Sequence, residues 1–506
     1  MATSRVLGLM SISLCLALVV VLPSCFAQRL EGEWQWQLQG QNPWQFGGRQ
    51  HGRYRYRQQQ FREECDIWSL TAAEPSRRIE SEAGVTEYWD PTQQQFRCAG
   101  VVVLRHVIEP KGLLLPTYAN APHVTYIVQG RGLFQAAIPG CPQTFQSETR
   151  IEKGSERRFR DEHQRIRRFR EGDVLALPAG VAKWYYNDGD SRAIAITVFD
   201  TSSFQNQLDE NLRLFLLAGS RQIQEIRGEK WEGVRHLEEG RNIFSSFDQE
   251  LLAETLGVNI ETVNRLQGQN DQRGNIVFVE KSLQFLSPEF EEEEIRREEL
   301  EREARRRGRD NGLEETFCSL KLRHNINNPA ETDIFNPRGG RITALNSNKL
   351  PILHFLQLSA YKVNLYERAT VGPFWTVNAH SICYVTRGRG RIQIVRDNGK
   401  LVLDQEVQEG QLFVVPQNFV VIKKASREGL EYVAFKTSDN AVVSHLAGRT
   451  SALRSLPVEV LANSYLISRE TALHLKRSRR SVAVFGPRSI SRREEERERA
   501  AAVSDE

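Results

Sequence analysis

The residues of this chain most able to do chemistry are its cysteines, and the chemistry they suggest is cross-linking. Seven cysteines are present, of which Cys15 and Cys25 lie in an apolar leader. That leader runs from Arg5 through Leu7–Leu22 to Pro23 and small residues, the pattern of a secretory signal cut between Ala27 and Gln28. Five cysteines then remain: Cys65, Cys98, Cys141, Cys318 and Cys383. In an oxidising compartment they should form two bonds and leave one thiol, and fifteen such pairings exist, so the sequence alone does not choose. Cys383, between Ile382 and Tyr384 in a strand-like run, reads as the buried unpaired thiol. Asn311-Gly312 is a strong turn signal at the end of a charged stretch that includes Glu291–Glu294 and Arg305–Arg307. Charge of that density with few apolar residues predicts a solvated or disordered linker, open to proteases.

The elements around these residues repeat. Tyr126-Ile-Val-Gln-Gly130-Arg-Gly132 is followed by Glu171-Gly-Asp-Val-Leu-Ala-Leu-Pro178. Tyr384-Val-Thr-Arg-Gly388-Arg-Gly390 is followed by Glu409-Gly-Gln-Leu-Phe-Val-Val-Pro416. β-Branched runs broken by Gly and Pro are strands and turns, and their recurrence half a chain apart predicts two copies of one β domain. Strands are expected over 101–107, 124–128, 174–177 and 194–199, with a mobile insertion over 147–168. Amphipathic runs from Glu250 to Leu266 and from Glu459 to Leu475, with Ala253 and Ala462 in matching positions, add a helical section to each copy.

Charge is divided along the chain. Residues 312–506 hold 28 Lys+Arg and 20 Asp+Glu, a net +8, which leaves 40 and 44, a net −4, for residues 1–311. Two halves of opposite sign attract each other, and no nucleic-acid partner is expected. Residues 28–64, polar with Trp34, Trp36, Trp44, Tyr54 and Tyr56, read as an irregular extension; aromatics among basic residues suit single-stranded nucleic acid only with a supporting fold signature. No later run is long enough for a membrane span, so no membrane partner is expected. Both methionines, Met1 and Met10, leave with the leader, and the nitrogen-rich, sulfur-poor remainder suits a reserve protein.

Gly172, Pro178, Gly180 and Asn187 match the second motif of the cupin family of small jelly-roll barrels, and the chain resembles that family. The resemblance implies a metal-ligand His where Lys183 stands, and an ammonium has no lone pair to give a metal. It implies two His and a Glu after Gly112, where the chain has Tyr118 and Asn120. In the second copy Gly410 and Pro416 match, Asn418 replaces the Gly and Val421 the His. In the motif that follows Gly372, only His380 keeps a ligand-like position, with Asn378 and Tyr384 where partners would sit. No catalytic residue, metal or cofactor is therefore expected. The alternative is a secreted metal-dependent cupin enzyme such as an oxalate oxidase.

Asn311-Gly-Leu-Glu-Glu-Thr-Phe-Cys318 resembles the processing site of legumin-type 11S seed storage globulins. So do Gln95–Gly100, Pro139–Pro142, Gln205–Asp209 and Leu446–Thr450, in order along the chain. This likeness implies cleavage after Asn311 by an asparaginyl endopeptidase, at the bond where the charge divides. It further implies Cys65–Cys98 and Cys141–Cys318 disulfides, trimers of the precursor, hexamers of the mature protein, and delivery to seed protein storage vacuoles. The expected fold is mainly β, two jelly-roll (cupin) barrels each followed by helices. The expected organisation is a signal peptide (1–27), extension (28–64), first cupin unit (65–266), charged linker (267–311), second cupin unit (312–480) and charged tail (481–506).

Overall fold

The computed structural model describes residues 65–141, 145–148, 160–221, 240–268, 271–281, 283 and 320–487. The first barrel is two facing antiparallel sheets. One has the order Arg77–Ser81, Gly84–Tyr88, Val101–Ile108, Ala193–Asp200, His123–Gln129, Asp173–Leu177 and Arg323–Asn325. The other runs Leu214–Leu216, Gly112–Ala119, Ala182–Tyr186, Arg131–Ala137, Ile166–Arg170, with Ile276–Phe278 also on Gly112–Ala119. Central strands such as Val101–Ile108 and Asp173–Leu177 are buried on both faces at most positions, which is why they read as continuous apolar runs.

In the second barrel the strands Ser381–Val395 and Val420–Lys436 pair with each other along most of their length and serve both layers. The repeated Gly-Arg-Gly marks where such strands turn the corner. Gly130 and Gly388 have φ of 89° and 74°, a region that side chains disfavour. A Cβ on Gly132 would lie 2.1 Å from the Tyr186 carbonyl oxygen, and one on Gly388 would lie 2.4 Å from that of Gly429. Register shifts on either side of Gly388 show the strand bending there.

The two barrels exchange segments. Residues just after Cys65 lie on the second barrel, where Ile67, Leu70 and Ala72 join its core. Leu70 N–H donates to Val402 O (2.9 Å), and Ala73 and Leu412 exchange two backbone bonds. In return, Arg323–Asn325 adds an edge strand to the first barrel beside Asp173–Leu177, and Ile326 N–H donates to Gly172 O. The repeat's tyrosines mark the same boundary. Tyr126 of the first barrel accepts from Lys362 Nζ of the second (3.2 Å), and Tyr384 of the second accepts from Arg105 of the first (3.2 Å). Arg105 also pairs with Glu87, and Trp89 meets Tyr384 edge-on at 6.0 Å.

The four strands expected after Cys98 are all present, each within about two residues of its expected ends. Two elements differ from expectation. Of the 147–168 segment, residues 149–159 lie outside the described residues; flanking them, Phe145–Glu148 pairs with Arg160–His163, and Ile166–Arg170 is a barrel strand with Ile166 and Phe169 in the core. Each amphipathic run is a pair of helices. Gln249–Leu256 ends at Gly257 (φ 65°), and Asn259 caps Ile260–Gln267 by accepting from Thr262 N–H. Val458–Tyr465 ends at Leu466 (φ 52°), and Ser468 caps Arg469–Arg477. Among the described residues no helix is long and apolar enough to cross a membrane.

Candidate functional site

Each barrel encloses a set of polar groups, and in both the polar groups are mostly amines and hydroxyls. In the first, Lys183 lies on Ala182–Tyr186 and points inward, with Nζ against His123 Nε2 and 5.1 Å from the centre of the Phe199 ring. The His123 ring stacks on Phe199 at 4.6 Å, and its Nδ1 bonds to the Ala121 carbonyl at 3.3 Å. A proton on Nδ1 leaves the Nε2 lone pair to accept from Lys183. Burial pushes the Lys183 pKa well below that of an ordinary lysine; burial first, then the Lys183 charge, does the same to His123. His106, bonded to Thr86 Oγ1 at 3.1 Å, is lowered to about 3 by burial and by Lys183. The remaining space here is only about 20 Å³.

The second barrel holds two buried lysines, Lys423 (2% exposed) and Lys436 (4%). Lys423 Nζ donates to the thiol of Cys383 at 3.3 Å and lies 4.0 Å from the centre of the Tyr432 ring, with Phe413 at 5.2 Å. Burial opposes its charge, but Cys383 and Tyr432 outweigh burial and hold its pKa above the ordinary value. Lys436 Nζ donates to Thr376 Oγ1 (3.0 Å) and Ser381 Oγ (2.5 Å). Burial, with the Lys423 charge adding to it against Cys383, lowers Lys436 to about 7. Both lysines line a cavity of about 230 Å³.

The residues singled out in the sequence have other duties. Tyr118 stacks on Phe215 at 4.7 Å, and Asn120 bonds Asn206, the Asn211 carbonyl and Arg213 N–H at the barrel rim. The imidazole that meets Lys183 is therefore His123, not a group at 118 or 120. Asn187 ties a turn, donating to the Ile108 and Ser191 carbonyls and accepting from Gly189. Asn418 keeps the left-handed conformation (φ 66°) that its counterpart Gly180 has (76°). Val421 is fully buried, and His380 Nδ1 accepts from Gln417 N–H at 3.2 Å. Asn378 bonds Ser438 and Asn440, and Tyr384 belongs to the boundary between barrels. Among the described residues no three His, Cys, Asp or Glu are grouped to hold a metal.

Cys65 and Cys98 are joined, with Cα atoms 5.4 Å apart, and Cys383 is free and buried. Cys141 is also in a disulfide. Its expected partner Cys318 lies outside the described residues, as do Ala27, Gln28, Asn311 and Gly312. The sequence reading missed His106, His123, Lys423, Lys436 and His445. Alternation along Val421, Lys423 and Ala425 was the available signal, weakened by Lys424 offering the same side chain to the opposite face.

Two jelly-roll barrels in one chain, each with buried lysine inside, define a bicupin. The family model for cupins matches residues 70–221 and 324–473. The 13S globulin seed storage protein of Fagopyrum tataricum is 50% identical, covering 97% of this chain and 98% of that protein. Cocosin 1 of Cocos nucifera is 51% identical over 86% of this chain and 91% of its own length. The crystal structure of the coconut allergen cocosin superposes with a TM-score of 0.72 at 49% identity, covering 84% of this chain and all of that one. The chain belongs to the cupin family and, within it, to the legumin-type 11S seed storage globulins.

Proposed function

We propose that the chain is a nutrient reservoir, cut after Asn311 by an asparaginyl endopeptidase into an acidic and a basic polypeptide that Cys141–Cys318 keeps joined. In this reading the signal 1–27 is lost between Ala27 and Gln28, and the product is laid down in the protein storage vacuoles of seeds. The units are 28–64, 65–266, 267–311, 312–480 and 481–506, as the sequence suggests, except that Ile276–Phe278 in the linker is a strand of the first barrel and Val484–Phe485 in the tail a strand of the second. The observation that carries the non-catalytic part is the pair of barrel interiors, where Lys183, Lys423 and Lys436 stand and no three carboxylates, imidazoles or thiols are grouped to hold a metal among the described residues. Lys423 is held charged by its neighbours, and a buried positive charge repels a transition metal.

Self-association as a trimer of the precursor and a hexamer of the mature protein has support in the helix pairs. They leave Leu251 (59%), Tyr465 (56%) and Leu466 (93%) exposed, far more than single scattered residues require. The first pair carries Asp248, Glu250, Glu254 and Glu261 against Arg265, and the second carries Arg469, Lys476 and Arg477 against Glu459 and Glu470. Unlike faces of this kind favour a head-to-tail contact, which closes into a ring if its rotation permits. The test is electrophoresis with N-terminal sequencing: one band unreduced, two when reduced, starting at Gln28 and Gly312. A single reduced band overturns the cleavage, and stoichiometric manganese or iron in the pure protein overturns the non-catalytic part.

A further inference from the structure

The second barrel leaves two buried amines without a carboxylate partner beside open space. Lys423 and Lys436 line a cavity of about 230 Å³, and no Asp or Glu is among its described lining residues. A third nitrogen, His445 Nδ1, is buried at the same cavity and has no hydrogen-bond partner among the described residues. Folded proteins satisfy nearly all buried polar atoms, and each exception asks for a reason. Hydroxyls, a thiol and ring faces answer these lysines only in part. The first barrel supplies the contrast: its Lys183 meets a histidine lone pair, and aromatic side chains such as Phe169 and Tyr185 border a residual space of about 20 Å³.

The remaining walls of the cavity are largely apolar, with Val363, Val371, Phe374 and Ala434 among them. Ile334 and His445, on edge strands, are half-buried and give a way in from outside. A cavity of about 150 Å³ accepts benzene, so the space here suits one ring or a short branched chain bearing one small polar group. Most small-molecule sites combine such apolar walls with a few polar groups that fix orientation.

We propose that this cavity binds a small monocarboxylate with a compact apolar body, Lys436 acting as its main counter-ion, Lys423 adding to the field and His445 Nδ1 offering a hydrogen bond. The inference does not depend on the reservoir reading and adds an activity to it. The titratable groups facing Lys436 are Lys423, Tyr432, Tyr361, Cys383 and His445; burial lowers His445, so the lysines alone supply positive charge. A bound carboxylate favours the charged form of Lys436, which is otherwise lowered to about 7, and so binding at pH 8 takes up a proton.

The experiment is calorimetric titration of the full mature protein with benzoate at pH 8, in buffers of different ionisation enthalpy, with benzyl alcohol as the neutral control. The expected result is one site per chain, net proton uptake, tighter binding at pH 6.5 than at pH 9, and at least tenfold weaker binding in Lys436→Met. Lys423→Met, with thermal unfolding run on both variants, supplies a second measurement should one variant fold poorly. Benzoate binding undiminished in the folded variants, equal binding of benzyl alcohol, absence of proton uptake, or no binding at millimolar benzoate would each overturn the proposal.

Discussion

Replacing Lys436 by Met should make the protein more stable in mild acid and change how its stability depends on pH. The amine is 4% exposed, bonded to two hydroxyls, and lowered by burial from 10.5 to about 7. Each tenfold change in proton affinity corresponds to about 1.4 kcal/mol, so holding the charged form in this site costs about 5 kcal/mol relative to the unfolded chain. The sign follows from proton counts. Between about pH 7 and the ordinary lysine value the unfolded chain binds a proton that the folded chain does not, so stability rises with pH across that window. Below pH 7 both states are charged and the full cost is felt. The variant lacks this rise, and its advantage over the parent should shrink by about 3 kcal/mol between pH 6 and pH 9. It loses two hydrogen bonds, worth about 1 kcal/mol each, although Thr376 and Ser381 stand 3.4 Å apart and can bond one another. Replacing a buried charge by an apolar side chain of similar length is often neutral or stabilising. Urea unfolding of both proteins at pH 6, 7.5 and 9 is the assay. Equal destabilisation of the variant at all three values would refute the reasoning, since Lys436 would then be stabilising in its charged state.

Other perturbations test the remaining structure. Gly132→Ala places a methyl group 2.1 Å from the Tyr186 carbonyl oxygen, and a loss of about 3 kcal/mol or more is expected in thermal unfolding. Leu251→Glu or Leu466→Glu, at exposed sites, should leave the unfolding temperature of the monomer nearly unchanged while shifting sedimentation toward smaller species. Arg105→Ala strips Glu87 and Tyr384 of their shared partner at the boundary between barrels and should cost about 3 kcal/mol, with Arg105→Lys recovering part of it. If the chain is cut after Asn311 and then reduced, the pieces should still co-elute without denaturant, because Leu70 and Ala73 are bonded into the second barrel and Ile326 into the first. Separation on reduction alone would show that the exchanged segments contribute little.

Much of this architecture is legible in the residues. The doubled Gly-Arg-Gly announces two barrel corners because only glycine meets the backbone demands there, at positive φ and in near-contact with a neighbouring carbonyl. Cys383 reads as buried from the apolar strand around it, and it is. The helical runs are legible as helices, although Gly257 and Asn259, a stop and a start signal side by side, mark a pair rather than one helix.

The interior was less legible, and the reason is register. Lys423 and Lys424 are neighbours, and a strand must turn one inward and the other outward; a shift of one residue would exchange them. What decides it is the pairing of Val420–Lys436 with Ser381–Val395, a long-range match that local pattern does not encode. The sequence by itself determined a repeated β unit, its corners, its thiols and a division of charge, since these follow from residue type and spacing. Tertiary structure alone decided which amines face a cavity and which segments cross between barrels, since both depend on pairings between residues that lie far apart in the chain.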